Sequence, residues 1–191
     1  MQEIFYEESS KIPNEKSEKF KYNLLLTVSI LNFLGCFVWF FVCFYIYDVT
    51  VSSILVNIII MVIPFLIFLT VGFLCFKFKN NYYIQYDYTF VSGSIRIDKV
   101  IKNVKRIQLY DFEYNQIDLI GRFASDTYFQ VSSDPHANVE ILTSDMQSVD
   151  LFYIVVTISG EKNILTLQCS KQFITHIVKF TGRTVLEKDF K

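Results

Sequence analysis

Residues 22–47 and 49–76 contain no Asp, Glu, Lys, Arg or His, and Asp48 alone separates them. A helix needs ~20 mostly apolar residues to cross ~30 Å of hydrocarbon, and these runs of 26 and 28 residues are each long enough. A soluble core helix rarely stays uncharged for so long, so the pair predicts two membrane spans. The turn between them, residues 48–53, is too short to hold a domain. It makes the spans an antiparallel hairpin, with both chain ends on one side.

Charge sets which side. Lys11, Lys16, Lys19 and Lys21 precede the first run, Lys77 and Lys79 follow the second, and the turn has neither Lys nor Arg. The excess of cations on cytoplasmic flanks therefore places both termini in the cytoplasm of a two-pass membrane protein. A signal sequence has a short basic leader and an apolar core of 7–15 residues. Here a mixed-charge segment leads into a much longer core, which predicts a retained anchor. The expected order is a cytoplasmic segment (1–21), a first span (22–47), an extracytoplasmic turn (48–53), a second span (54–76) and a cytoplasmic domain (77–191). Residues 1–14 read as loosely ordered, with Pro13 as a break and an amphipathic helix over 9–22 as an option.

Within the spans, Tyr22, Tyr45 and Tyr47, with Tyr82 and Tyr83 beyond them, suit the interfacial aromatic belt, whereas Trp39 lies deeper and suits packing. Pro64 is expected to bend the second helix without breaking it. Asn32 and Asn57 are the most polar side chains at depth, and such residues face protein rather than lipid. Counted from the turn, their depths differ by roughly 12 Å at helical rise, so they do not pair within one hairpin. Each bonds to local backbone or across an assembly. Gly35 and Gly72 mark close helix approach. With no Asp, Glu, Lys, Arg or His in either run, a proton relay or ion pathway has no obvious carrier.

Composition narrows the remaining classes. A net charge of −1 lacks the basic footprint of nucleic-acid binding. Cys36, Cys43, Cys75 and Cys169 form no CxxC pair, which favours neither zinc nor a disulfide framework. They read as small buried side chains, although Cys75, beside Lys77, has the juxtamembrane placement of acylated cysteines.

After residue 82 the pattern changes to period two. Residues 82–90 alternate as a half-buried strand, Ser92-Gly93 supplies a turn, and Ile95 and Ile97 mark the return strand. Residues 104–110 read as a third strand, 111–122 as a short strand entered through a turn, and 124–138 as loop with a brief strand at 128–131. Residues 139–143, 151–158 and 164–168 are further strands, the last two joined by a turn at Ser159-Gly160. Ser170 then caps a helix with an apolar stripe of Phe173, Ile174, Ile177, Val178 and Phe180, ended by Gly182. The fold class is a membrane α-helical hairpin plus an α+β cytoplasmic domain. That domain has six or seven mainly antiparallel strands and a C-terminal helix able to plug a barrel-like sheet.

In element order, residues 82–120 and 164–182 resemble the small pleckstrin-homology-like domains that bacteria carry beside membrane hairpins. Tyr86-Asp87-Tyr88-Thr89-Phe90, the Gly93 turn, Ile97-Asp98-Lys99 and Lys105-Arg106 resemble an uncharacterised two-span membrane protein family of Gram-positive bacteria. The resemblance implies a membrane-anchored domain and brings no reaction and no site residues.

Lys99, Lys102, Lys105 and Arg106 form one basic cluster. It suits contact with anionic lipid or a partner, or else a lysine-protected sheet edge. Asp87 and Asp98 are placed to pair with basic neighbours across the ladder. His136 and His176 have no metal-ligand spacing, and Ser132, Ser133 and Asp134 near His136 lack a nucleophile elbow. No catalytic, cofactor or metal residue is assigned. The expectation is a non-enzymatic module held at the bilayer, which recruits a protein partner or forms a homo-oligomer. The alternatives are anionic-lipid or small-ligand sensing, and service as an accessory subunit of a membrane enzyme or transporter complex.

Overall fold

The computed structural model describes residues 4–46 and 54–187, and the chain divides into two compact units, Asn14–Tyr83 and Met1–Pro13 with Ile84–Lys191. The expected turn at 48–53, Tyr47 and the charged tail 188–191 lie outside the described residues.

The first unit is a helix pair, α1 (Glu15–Ile46) and α2 (Ile54–Phe78), followed by a tight 3-10 turn at Lys79–Asn81. At 1.5 Å per residue these helices are roughly 48 and 38 Å long, more than ~30 Å of hydrocarbon requires. By length and composition both can cross a membrane, and only 11% and 6% of their most apolar windows are buried inside the chain. Burial within the chain therefore does not account for their hydrophobicity. Pro64 lies inside α2, which continues through it.

Three bonds fix an antiparallel register. Ser29 Oγ donates to Gly72 O at 2.9 Å, Cys36 Sγ to Phe65 O at 3.7 Å and Trp39 Nε1 to Met61 O at 3.2 Å. At the open end of the pair, Lys79 Nζ sits 3.7 Å from the Phe76 ring centroid and 5.7 Å from that of Tyr22, a cation–π clasp. Tyr83 OH donates to Glu15 Oε1 at 2.8 Å, and that bond raises the phenol pKa.

The second unit contains two four-stranded sheets. β1 (Phe5–Ser9), β2 (Ile84–Val91), β3 (Ser94–Ile101) and β4 (Lys105–Glu113) pair antiparallel in that order. β5 (Ile117–Arg122), β6 (Ala137–Leu142), β7 (Leu151–Ile158) and β8 (Glu161–Gln168) form the second sheet in the order β5-β7-β8-β6. Tyr88, Phe90, Ile95 and Ile97 from the first sheet share a core with Phe152, Ile154, Leu165 and Leu167 from the second. A helix, α4 (Lys171–Thr181), closes this core with Phe173, Ile174 and Ile177, as its apolar stripe requires. Ser170 Oγ accepts from Phe173 N at its start, and Gly182 ends it at φ 88°, where a side chain would be strained.

Three features differ from the sequence expectation. Residues 5–9 are a strand rather than loose chain, and no separate amphipathic helix covers 9–22, because α1 begins at Glu15. β1 pairs along its length with β2, Phe5 opposite Val91 through Ser9 opposite Asp87, and Ser10 N extends the ladder to Tyr86 O. The helix pair is thus inserted between two hydrogen-bonded neighbours of one sheet. Second, residues 128–131 are helical. α3 (Asp126–Ser132) is N-capped by Ser125, which overrides the strand propensity of Tyr-Phe-Gln-Val by turning Tyr128 and Val131 onto Tyr153, Val155 and Ile164. Third, eight strands rather than six or seven are present among the described residues, and β6 runs parallel to β8 because α3 carries the chain back across the sheet.

Candidate functional site

Strand alternation divides the basic cluster. Val100 registers with Arg106 and Lys99 with Ile107, so Lys99 and Arg106 occupy opposite faces of the first sheet. Lys102 and Lys105 flank the β3–β4 turn, in which Lys102 and Asn103 take φ of 54° and 55°, the pairing that a tight hairpin of this hand needs. Val104 stands between them, 81% exposed. The four cations close together in sequence thus become a turn pair and two separated strand positions.

Arg106 belongs to a polar network on the outer face of the sheet. Asp87 and Asp98 lie directly opposite each other in the β2–β3 ladder and are 4% and 6% exposed. Two carboxylates so placed repel, and each has its own guanidinium. Arg106 Nη2 lies 3.0 Å from Asp87 Oδ2, with Nη1 3.7 Å from Glu7 Oε1, and Arg96 Nε lies 3.1 Å from Asp98 Oδ1. Ser9 Oγ adds a 2.7 Å bond to Asp87 Oδ1. The network therefore crosses all four strands and makes Arg106 a structural cation before it is anything else.

The inner face carries a phenol pair beside β6. Burial, and after it the Glu140 carboxylate, raises the Tyr86 phenol, and the same causes push Tyr110 up to about 12. Neither is a base at neutral pH.

Two carboxylate contacts, one half-buried at Glu8 and one buried at Glu187, were not anticipated from sequence. Glu8 on β1 accepts from Ser170 N at 2.9 and 3.0 Å and from Ser170 Oγ at 2.8 Å, which sets a carboxylate on the first turn of α4. Beside it is a cavity of about 130 Å³ lined by residues including Lys11, Asp150, Gln168 and Cys169. Burial first, then Glu8 and Asp150, raise the Cys169 thiol well above its ordinary value, so it is not a thiolate nucleophile. Glu187 accepts from Arg122 N at 2.8 Å, Ser125 Oγ at 2.8 Å and Tyr153 OH at 3.2 Å, while its own N–H donates to Ile120 O. It ties the end of the described chain to β5 and the start of α3. The alternation of Tyr6 and Glu8 was the available signal for the first; nothing local marks Glu187.

The serines near His136 have local work. Ser132 Oγ and Ser133 Oγ donate to Phe129 O and Gln130 O, closing α3, and Asp134 Oδ1 accepts from His136 N. His176 stacks on Tyr6 at 5.0 Å. In the helix pair, Asn32 Nδ2 donates to Val28 O on its own helix, 2.8 Å away. Gly72 is buried, and a Cβ there would lie 3.2 Å from Asn32 Cβ, whereas one on Gly35 would meet the Phe68 ring at 3.4 Å. Asn57 lies in α2, outside the residues whose side chains are described.

A family model described as Bacterial PH-like domain (DUF6106) matches residues 20–187, which takes in both apolar helices and all strands after β1. No curated protein and no solved structure matches the chain.

Proposed function

Because the chain belongs to this bacterial PH-like domain family, we propose that it is a non-enzymatic, two-pass anchor that presents a PH-like domain at the cytoplasmic membrane surface to recruit or assemble a protein partner. One observation carries the reading: the apolar helix pair is inserted between β1 and β2, which are hydrogen-bonded neighbours. A strand that precedes the first helix and one that follows the second can pair only if both helix ends open on the same side of a bilayer. Lysine flanks at Lys16, Lys19, Lys21, Lys77 and Lys79 put that side in the cytoplasm. The absence of Asp, Glu, Lys, Arg and His from 22–47 and 49–76 supports an anchor over a conduit. Purification of the tagged full chain from gently solubilised membranes at native expression tests the recruitment role. A reproducible stoichiometric hetero-partner is expected, and recovery of this chain alone would sink it.

The exposed Val104 between Lys102 and Lys105 favours a second reading, contact of the β3–β4 turn with anionic lipid. An environment-sensitive dye on Val104→Cys, in full-length protein reconstituted into vesicles, should shift to the blue as anionic lipid rises and lose the shift in high salt. A signal indifferent to both removes this reading.

A further inference from the structure

We propose that β4 is a self-pairing edge through which two copies of this chain associate. The inference uses the first sheet alone and stands independently of partner recruitment.

β4 ends the strand order β1-β2-β3-β4, and among the described residues no strand pairs its outer edge. Of its nine residues, Lys105 through Leu109, Asp111 and Glu113 are exposed. Ile107 and Leu109 are 36% and 38% exposed at its middle. A long edge with apolar centre residues is a template for another strand, unless charges or a cover block it.

The charges on β4 select the occupant. The register shift between Ile97 and Asp98 lets Arg96 oppose Asp111 while Val100 opposes Arg106, so Arg106 and Asp111 share the outer face. On that face Arg106, itself 61% exposed, makes one end of the strand basic, while Asp111 and Glu113 make the other acidic; Lys105, opposite Ile101, lies on the other face. Antiparallel pairing with an identical strand brings the basic end of each copy to the acidic end of the other, twice, with Ile107 and Leu109 near the two-fold axis. This is the self-complementary form that a closed two-fold interface requires.

A second feature lies at the acidic end. An open depression of about 500 Å³ is lined by Ser94, Asp111, Phe112, Glu113, Asn115 and Gln116. It lies where Arg106 of the other copy would enter. Of the second sheet's two edges, β6 offers no such complement, since Glu140 is its single charge, and β5 is bridged at Ile120 to Leu186.

The test uses two differently tagged full-length copies, co-expressed and extracted in mild detergent. Wild-type copies should co-purify. Asp111→Lys combined with Glu113→Lys sets base against Arg106 at both ends and should lower recovery at least tenfold. Leu109→Lys, which places a cation at the centre of the edge, should abolish association whether or not the double variant folds. Wild-type copies that do not co-purify, or association that survives both Leu109→Lys and the Asp111→Lys, Glu113→Lys pair, would overturn the proposal.

Discussion

Replacing Glu8 with alanine should loosen the PH-like unit at a point far along the chain from the substitution. Glu8 lies on β1, yet its carboxylate accepts three contacts from Ser170, the N-cap of α4. Hydrogen bonds to an ionised group contribute roughly 1.5–3 kcal/mol, and a carboxylate at a helix N-terminus adds roughly 0.3–1 kcal/mol. Ser170 is partly solvated and water replaces some of this, so the expected loss is about 2 kcal/mol. At roughly 3 °C per kcal/mol for a domain of this size, thermal unfolding of the full chain in detergent should fall by about 6 °C. Ser170→Ala removes the Oγ contact to Glu8 and the cap on Phe173 N, while its backbone N–H still donates to Glu8. The double variant should therefore cost less than the sum of the two, with a coupling of roughly 0.5–1 kcal/mol from the shared Oγ bond. Hydrogen exchange should rise together in residues 5–10 and 170–174. Strictly additive effects, or an unchanged melting temperature with Glu8→Ala, would refute the tie between β1 and α4.

Other substitutions probe separate contacts. Gly121→Ala would press a Cβ against Glu187 Oε2 and Tyr153 Cε1, and should cost about 2 kcal/mol or more in thermal unfolding. Arg106→Ala leaves Asp87 with Ser9 as its remaining partner in the network and should destabilise by about 1–2 kcal/mol, more than Lys102→Ala at the turn. Gly72→Leu should separate α1 from α2, because even a Cβ meets Asn32 at 3.2 Å; the readout is a lower melting temperature of the helix pair in detergent by circular dichroism. Tyr110 titrates at about 12 in the fold against about 10 unfolded, so the unfolded chain releases its proton first and stability declines as pH rises from about 10 to 12. Tyr110→Phe should flatten part of that decline in denaturant titrations.

Local periodicity made much of the fold legible. The alternation around Tyr86, Tyr88 and Phe90, the Ser92-Gly93 and Ser159-Gly160 turns, and the stripe from Phe173 to Ile177 each report a nearby partner, and these elements stand where the pattern put them. β1 was opaque because its partner, β2, lies beyond both helices. Five residues with two glutamates carry only the short alternation of Tyr6 and Glu8 as a signal, too little to mark a strand whose ladder closes at such a separation. α3 was misread because Tyr128, Phe129 and Val131 have strand propensity, while the deciding information was a serine cap and burial of Tyr128 and Val131 against the second sheet. The basic cluster misled differently: nearness in sequence is not nearness on a pleated surface, and alternation sends Lys99 and Arg106 to opposite faces. Nothing near Glu187 in the sequence marks it, and only the fold brings Arg122, Ser125 and Tyr153 to it.

Insertion of the helix pair between β1 and β2 is tested most directly by proximity across that seam in the intact protein. Glu7 and Thr89 are opposite partners in the ladder. With Glu7→Cys and Thr89→Cys combined in the full chain in native membranes, a short bifunctional maleimide should join them within one chain in high yield, and each single variant should take the reagent at one end only. Independent labelling of both positions with no intramolecular product would contradict the insertion, and with it the proposal that both helix ends share a side of the membrane.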